Sequence, residues 1–166
     1  MALGHDSRYV IRLAESLGYD YRLLSFNGSA RCELPQAQVI ASEDFDIAIL
    51  EMGINMIDYF TVEEFETIAR KFLQTIVAAH PDKYIFCVDM YYNHNDINQN
   101  PMSAAYRAVV RKLVCEVNSD HVIYVNGLSV FRDVRALTAD MVHPSTYGQI
   151  LLAQNLEQII TPFLNE

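Results

Sequence analysis

Short apolar runs alternate with longer segments of helical periodicity along this chain, and the alternation is what most constrains its fold. The predicted strands cover residues 21–26, 46–52, 84–88 and 122–125. Strands that alternate with helices imply β-α units with right-handed crossovers, and therefore a mostly parallel sheet covered by helices on both faces. The sequence thus predicts an α/β fold in which a ligand binds beyond the carboxyl ends of the strands.

Four amphipathic segments supply the predicted main helices, at residues 9–17, 61–79, 102–117 and 147–160. Gly18 is expected to end the first helix, and Asp6 or Ser7 to cap its start. Thr61 and Glu64 match a capping box at the start of the second. Pro35 opens a shorter helix, and Pro162 is expected to lie beyond the end of the last one. The residues from 126 to 138 read as a loop.

Length and charge narrow the class of protein. A chain of 166 residues with half of them apolar is most simply one domain with its own core. Its net charge of −9 and its lack of a Lys/Arg cluster argue against nucleic-acid partners and against anionic membrane surfaces. No apolar run is long enough for a membrane span, and no signal-peptide pattern is visible. A small, uncharged substrate fits this composition best.

Three cysteines, Cys32, Cys87 and Cys115, occur without a C-x-x-C spacing. An odd number of scattered cysteines favours reduced thiols in a reducing compartment over a disulfide framework or a zinc site. We therefore expect a cytoplasmic protein. Nothing near Cys32 would make it a thiolate nucleophile, so it is interpreted as a small neutral residue.

An acid and a base three residues apart, Asp140 and His143, stand just before the last predicted helix. If the segment between them is a tight loop, the carboxylate can orient the imidazole, which then serves as a general base for a serine nucleophile. The alternative is structural, because Asp and His are common near helix starts and Pro144 suits a first turn.

Other polar loops also follow predicted strands. Gly28, in Asn27-Gly28-Ser29, and Asn55, in Gly53-Ile54-Asn55, can offer a backbone N–H and a side-chain amide to the oxyanion of acyl transfer. The loop at residues 89–96 is polar and aromatic. We interpret its His94 as part of a substrate-facing loop or a simple turn, and its tyrosines either line a pocket or pack against helices.

Taken together, these motifs resemble the SGNH (GDSL-type) hydrolases, a family of esterases and lipases. That family carries a glycine after its second strand, Gly-x-Asn-Asp after its third, and Asp-x-x-His before its last helix. The resemblance implies a flavodoxin-like three-layer α/β fold, catalytic roles for Asp140 and His143, and an oxyanion hole from Gly28 and Asn55. Met56 departs from the pattern, because the family has Asp there.

The front of the chain departs further. The family's first motif, Gly-Asp-Ser, closes a central first strand, whereas Gly4-His5-Asp6-Ser7 has almost no chain before it and Ser7 looks like a helix cap. By this alignment the first strand and its nucleophilic serine are missing. Three explanations stand: an N-terminally truncated chain, which we expect; a swapped or dimeric assembly that fills the gap; or a rearranged start in which Ser7 is the nucleophile.

The resemblance therefore implies a carboxylic ester hydrolase that acts on a small-molecule ester and needs no cofactor or metal. The missing central strand would favour a homodimer. Two other interpretations remain open. One is a non-catalytic relative that keeps the fold and a binding pocket but lacks the nucleophile. The other is a flavodoxin-like nucleotide-binding module, although no Gly-rich phosphate loop follows a first strand.

Overall fold

A computed structural model describes residues 8–25 and 28–164 of the chain. It divides into two compact units. The sheet unit contains residues 25, 28–90 and 100–126, and the helical unit contains residues 8–24, 91–99 and 127–164. Each unit is described by itself below.

The sheet unit is built on three parallel strands, β1 (Ile47–Glu51), β2 (Tyr84–Val88) and β3 (Val122–Val125), in the order β1-β2-β3. Their apolar runs suit this position, because a parallel sheet is buried against helices. Ile85, Phe86, Cys87 and Val88 of the central strand are fully buried. This arrangement confirms the predicted α/β fold with a parallel sheet.

Three helices belong to the sheet unit: α2 (Leu34–Ser42), α3 (Val62–Ala79) and α5 (Pro101–Val117). Helix α2 packs against α3, α3 packs against α5, and α5 packs against β2 and β3. The capping box predicted at Thr61 and Glu64 is present, and α3 ends at His80 as expected. The rings of Phe65 and Tyr106 stack at 4.2 Å between centroids and join α3 to α5 in the core.

The helical unit is built around α1 (Tyr9–Leu17) and α7 (Thr146–Leu164), which pack against each other. Gly18 ends α1 with a φ of 73°, where its lack of a Cβ avoids strain. The Tyr9 N–H donates to Gln149 Oε1 at 2.8 Å and the Ser16 hydroxyl to Glu157 at 2.6 Å. Two short helices, α4 (His94–Ile97) and α6 (Gly127–Val130), and a 3₁₀ turn (Val134–Ala136) complete this unit.

Three predictions about secondary structure were wrong. The described part of the segment predicted as a strand, residues 21–25, is irregular and largely exposed, and its Tyr-Arg-Leu-Leu-Ser sequence lacks the β-branched residues that favour strands. Helix α7 continues through Pro162 to Leu164, and only two residues of the helix follow the proline that cannot donate its hydrogen bond. The predicted loop from 126 to 138 includes α6 and the 3₁₀ turn. The proposed caps Asp6 and Ser7 lie outside the described residues.

None of the helices in the described residues combines the length and the apolar character that a bilayer span requires.

Candidate active site

The segment that carries Asp140 and His143 is a closed loop in the helical unit. Leu137 and Pro144 form an antiparallel bridge across its base. Inside the bridge, the Thr138 N–H donates to the His143 carbonyl at 2.8 Å, and the Met141 N–H donates to the Thr138 carbonyl at 3.0 Å. Four consecutive residues, 140–143, therefore form a tight turn with fixed ends.

The Asp140 carboxylate organises this loop through one of its oxygens. Oδ1 accepts the backbone N–H groups of Val142 and His143, both at 2.9 Å, and the Thr138 hydroxyl at 2.7 Å. An aspartate suits the position because its short side chain can reach N–H groups two and three residues ahead. Burial alone would raise the pKa of Asp140, but the hydrogen bonds from His143, Val142 and Thr138 outweigh it and hold that pKa well below its usual range.

The other carboxylate oxygen meets the imidazole. Asp140 Oδ2 lies 2.7 Å from His143 Nδ1. Because an ionised carboxylate can only accept, Nδ1 must carry the proton, and in the neutral ring Nε2 keeps its lone pair. The side chains of His143 and Asp140 are 67% and 50% exposed, so Nε2 can be reached from outside the unit. The arrangement can therefore present a general base to an incoming hydroxyl.

Helix α4 holds the same loop from another part of the chain. Asn93 caps α4 through a capping box with Asp96, and Asn93 itself is buried. The backbone N–H of His94 then donates to the Met141 carbonyl at 2.7 Å. Met141 has a φ of 56°, a left-handed conformation that costs energy for a non-glycine residue. The hydrogen bond from α4 helps to fix this strained residue between the acid and the base.

The predicted polar loop at residues 89–96 thus includes a short helix. The Tyr91 ring packs edge-on against Phe131 and Tyr9, at 6.4 Å and 6.3 Å between centroids. Of the two roles weighed for this tyrosine, packing against neighbouring elements is the one that these contacts support.

The start of α7 lies unusually close to the 3₁₀ turn that precedes the loop. A Cβ on Gly148 would come 2.3 Å from the Ala136 carbonyl oxygen, so only glycine fits. The same carbonyl accepts the Ser145 N–H at 2.8 Å. This close contact sets where α7 begins, directly after His143 and Pro144.

The two predicted oxyanion donors lie in the sheet unit. Gly28 has a φ of 80°, and a Cβ there would meet nothing within 4 Å, so its backbone conformation and not crowding explains the glycine. Asn55 lies in the turn that follows β1, and its side-chain Nδ2 donates a long hydrogen bond of 3.3 Å to the Ala30 carbonyl. The structure therefore brings the Asn55 amide against the loop that carries Gly28.

Gly53 starts the turn that carries Asn55. Its φ of 116° lets β1 turn away sharply, and Met90 and Tyr106 leave little room for a side chain. The N–H groups of Met56 and Ile57 both donate to the Gly53 carbonyl. Met56, where the resemblance leads one to expect Asp, is fully buried. The Asn55 side chain is oriented through Ala30 instead of through a neighbouring carboxylate.

The cysteines, Ser7 and possible metal ligands were the other candidates considered from the sequence. Burial, reinforced by the charges of Glu33 and Glu51, raises the pKa of the Cys32 thiol to about 12, so Cys32 is no thiolate nucleophile at neutral pH. Cys32, Cys87 and Cys115 are all free thiols. Ser7 lies outside the described residues. Within residues 8–25 and 28–164, no group of three or more His, Cys, Asp or Glu side chains is placed to hold a metal ion.

Sequence reasoning missed the residues that support the Asp140 loop: Thr138, Gly148 and the His94 backbone. Thr138 had a local signal, because a hydroxyl two residues before an aspartate is well placed to donate to it. Gly148 had only its unusual position near the start of a helix as a signal. The hydrogen bond from His94 to Met141 joins distant parts of the chain and had none.

Solved structures share this fold. A salicylyl-acyltransferase, SsfX3, from a tetracycline biosynthetic pathway matches 98% of this chain and 50% of its own, with a TM-score of 0.83 and 21% identity. A protein from Bacteroides ovatus described as a GDSL-like lipase matches 99% of this chain and 49% of its own, with a TM-score of 0.83 and 20% identity. A family two carbohydrate esterase from Clostridium thermocellum, in complex with cellohexaose, matches 96% and 55%, with a TM-score of 0.70 and 17% identity.

The chain spans about half the length of these solved structures, and identities this low establish the shared fold alone. No curated protein sequence matches the chain significantly. The model of the GDSL-like lipase/acylhydrolase family, however, matches residues 9–161, which is most of the chain. The chain therefore belongs to the GDSL-like lipase/acylhydrolase family.

Proposed function

We propose that this protein hydrolyses a carboxylic ester by a Ser-His-Asp mechanism, with His143 as the general base and Asp140 as the residue that orients it. The observation that carries the proposal is the 2.7 Å contact between Asp140 Oδ2 and His143 Nδ1. A histidine held in this tautomer has its other nitrogen ready to accept a proton from a serine hydroxyl. Membership of the lipase/acylhydrolase family supports the same class of reaction.

In the first step of the proposed reaction, a serine oxygen attacks the acyl carbon of the ester. As the new C–O bond forms, the serine proton moves to His143 Nε2, and the carbonyl oxygen becomes an oxyanion. The oxyanion then collapses, the bond to the alcohol breaks, and His143 returns its proton to the departing alcohol oxygen. Asp140 keeps its negative charge throughout and stabilises the imidazolium.

Water completes the reaction in a second step of the same kind. His143 takes a proton from water as the water oxygen attacks the acyl-enzyme, and later gives that proton to the serine as the acid leaves. The net reaction consumes one ester and one water and releases one acid and one alcohol. Ser7 and a serine outside this chain are the two sources of the nucleophile that the sequence leaves open.

Gly28 and Asn55 are proposed as the donors to the oxyanion, through the backbone N–H and the side-chain amide. An asparagine amide carries two N–H groups, and in Asn55 one of them is directed at the Ala30 carbonyl. That bond fixes the plane of the amide and leaves the second N–H for a substrate oxygen. A donor that is oriented before the reaction needs no reorganisation as charge develops.

The proposed mechanism does not specify the acyl group or the alcohol of the ester. The names of the similar structures, an acyltransferase and carbohydrate esterases, support acyl esters as the substrate class. In keeping with a net charge of −9, we propose a small, soluble ester and not a lipid at an anionic surface.

The proposal is tested by the hydrolysis of p-nitrophenyl acetate, with the wild-type chain, His143→Ala and His121→Ala compared. His121 is the control, because it directly precedes β3 and so lies at the amino end of a strand, away from the edge where ligands bind. We expect His143→Ala to abolish turnover and His121→Ala to preserve it. Equal activity in all three proteins would refute the role of His143, and inactivity in all three would refute the proposed activity of this chain.

A further inference from the structure

Arg31 and Tyr59 form a cation–π pair beside the contact between Asn55 and Ala30. The guanidinium carbon of Arg31 lies 4.2 Å from the centroid of the Tyr59 ring. Arg31 directly follows Ala30, whose carbonyl accepts the Asn55 amide, and Tyr59 belongs to the same turn as Asn55. The pair therefore lies within the loops that carry both proposed oxyanion donors. Tyr59 is 66% exposed, so a ligand can approach the pair from solvent.

The charge of Arg31 has no counter-ion in the described part of the chain. Arg70, by contrast, pairs with Glu66 at 2.6 Å and also with Glu116. The nearest carboxylate to Arg31 in sequence, Glu33, accepts its backbone N–H at 2.8 Å and makes no ion pair with its guanidinium. The Arg31 Nε atom is buried and has no hydrogen-bond partner among the described residues. A chain with a net charge of −9 offers many carboxylates, yet none in its described residues forms an ion pair with the Arg31 guanidinium.

This combination has the chemistry of a carboxylate-binding site. A guanidinium presents several N–H donors in one plane, and it binds a carboxylate through two parallel hydrogen bonds. A cation–π contact with an aromatic ring restrains the guanidinium before a ligand binds, and so lowers the entropy lost on binding. A carboxylate that binds here would replace the missing counter-ion, and it would be attached to the substrate close to the ester carbonyl that Asn55 is proposed to contact.

We propose that Arg31, held on the face of Tyr59, binds a carboxylate carried by the acyl chain of the ester, so that the preferred substrates are monoesters of dicarboxylic acids. This inference rests on the proposed function for its catalytic part. The net charge of the chain favoured an uncharged substrate, whereas the local charge of Arg31 favours one that carries a carboxylate.

A matched pair of esters tests the selectivity. Mono-p-nitrophenyl adipate and p-nitrophenyl hexanoate have acyl chains of equal length and differ in the terminal carboxylate. We expect kcat/KM of the wild type to be higher for the adipate, and Arg31→Met to lower it about tenfold or more for the adipate alone, mainly through KM. The control Arg70→Met removes an arginine that is already paired with carboxylates, and it should leave kcat/KM unchanged for both esters. Equal losses on both esters, or no loss, would overturn the proposal.

Binding without turnover separates this inference from the proposed function. Adipate is titrated into the protein while the Arg31 Nε–H signal is followed by ¹⁵N NMR, and a saturable shift is expected. Tyr59→Phe should preserve the shift because it keeps the ring, whereas Tyr59→Ala should weaken binding. If adipate binds through Arg31 but no ester is hydrolysed, the site stands and the hydrolase proposal fails. If hydrolysis depends on His143 but adipate leaves Arg31 unaffected, the carboxylate site fails.

Discussion

The Asp140 carboxylate joins two tasks in one side chain, because its Oδ1 oxygen holds the backbone of the loop while its Oδ2 oxygen lies 2.7 Å from His143 Nδ1. The residue that orients the base is therefore also the residue that shapes the turn on which the base stands. The orientation of the imidazole depends on local geometry within four consecutive residues. A change at Asp140 should therefore disturb the loop and the orientation of His143 together, unless the new side chain keeps an oxygen that accepts the N–H groups of the loop.

Replacing Asp140 with Asn should leave the loop largely intact and remove most of the activity. The Asn oxygen can still accept the N–H groups of Val142 and His143, but its NH₂ group would face His143 Nδ1 and require that nitrogen to accept. The ring would then carry its proton on Nε2 and could not serve as a base, and kcat should fall by roughly 10³–10⁴-fold. The ¹⁵N shifts of the imidazole should report the change of tautomer.

Asp133→Asn is the control for that experiment. Asp133 pairs with Arg135 on the 3₁₀ turn of the same unit, and the described residues show no hydrogen bond or ion pair between Asp133 and His143. It should retain full activity. Similar kcat values for the two variants would contradict the role of Asp140.

Thr138→Val should raise the pKa of Asp140 toward its usual range. The Thr138 hydroxyl donates to Asp140 Oδ1 at 2.7 Å and so favours the charged carboxylate. Because the pKa of Asp140 is lowered in the folded protein, its stabilising effect is present above the usual aspartate pKa and is lost as the pH falls through the lowered value. In Thr138→Val the stabilising effect should be smaller, and its loss should be complete at a higher pH. The ¹³C shift of the Asp140 carboxyl measures the titration.

Thr138→Ser keeps the hydroxyl and should behave like the wild type in that titration. An unchanged Asp140 pKa in the valine variant would show that the Thr138 hydroxyl does not contribute to it.

Asn55→Ala should lower kcat by about 10²–10³-fold, with a smaller effect on KM, because the lost amide is proposed to act on the oxyanion and not on the ground-state ester. Steady-state kinetics on a short ester give both constants. Asn98→Ala, an exposed change beyond α4, serves as the control. A loss confined to KM, or no loss, would remove Asn55 from the proposed oxyanion hole.

The thiols should differ in reactivity. Cys32 and Cys87 are buried, and burial raises the pKa of each to about 12, whereas Cys115 is exposed. At pH 8 a disulfide reagent should therefore modify Cys115 rapidly, and the other two only after denaturant is added. Mass spectrometry of the modified protein identifies the sites. Rapid modification of Cys32 in the native protein would reopen its rejected role as a nucleophile.

The elements with strong local signals could be predicted from the sequence. Thr61 and Glu64 form their capping box, Gly18 ends α1, and the apolar runs at β1, β2 and β3 become a parallel sheet. The prediction of a strand was wrong for residues 21–25, because an apolar run alone does not make a strand. A strand also needs a neighbouring strand to pair with. The prediction that the last helix ends before Pro162 was wrong, because the helix keeps this proline within its last turn, where only two helical residues follow it.

The contacts of the candidate site also include some that the sequence predicts and some that it does not. The contact between Asp140 and His143 follows from a spacing that the sequence prints, because three residues in a tight turn bring the two side chains together. The contributions of α4 and of Arg31 do not follow from spacing. They depend on contacts of His94 with Met141 and of Arg31 with Tyr59, which are far apart in the sequence.

The most direct test of a serine esterase built on Asp140 and His143 is covalent labelling with a fluorophosphonate, followed by mass spectrometry of the modified peptide. The account predicts that a single serine is phosphonylated, and that labelling and ester hydrolysis are lost together in His143→Ala, while His121→Ala retains both. Hydrolysis without a labelled serine, or a labelled serine whose reaction rate is unchanged in His143→Ala, would contradict it.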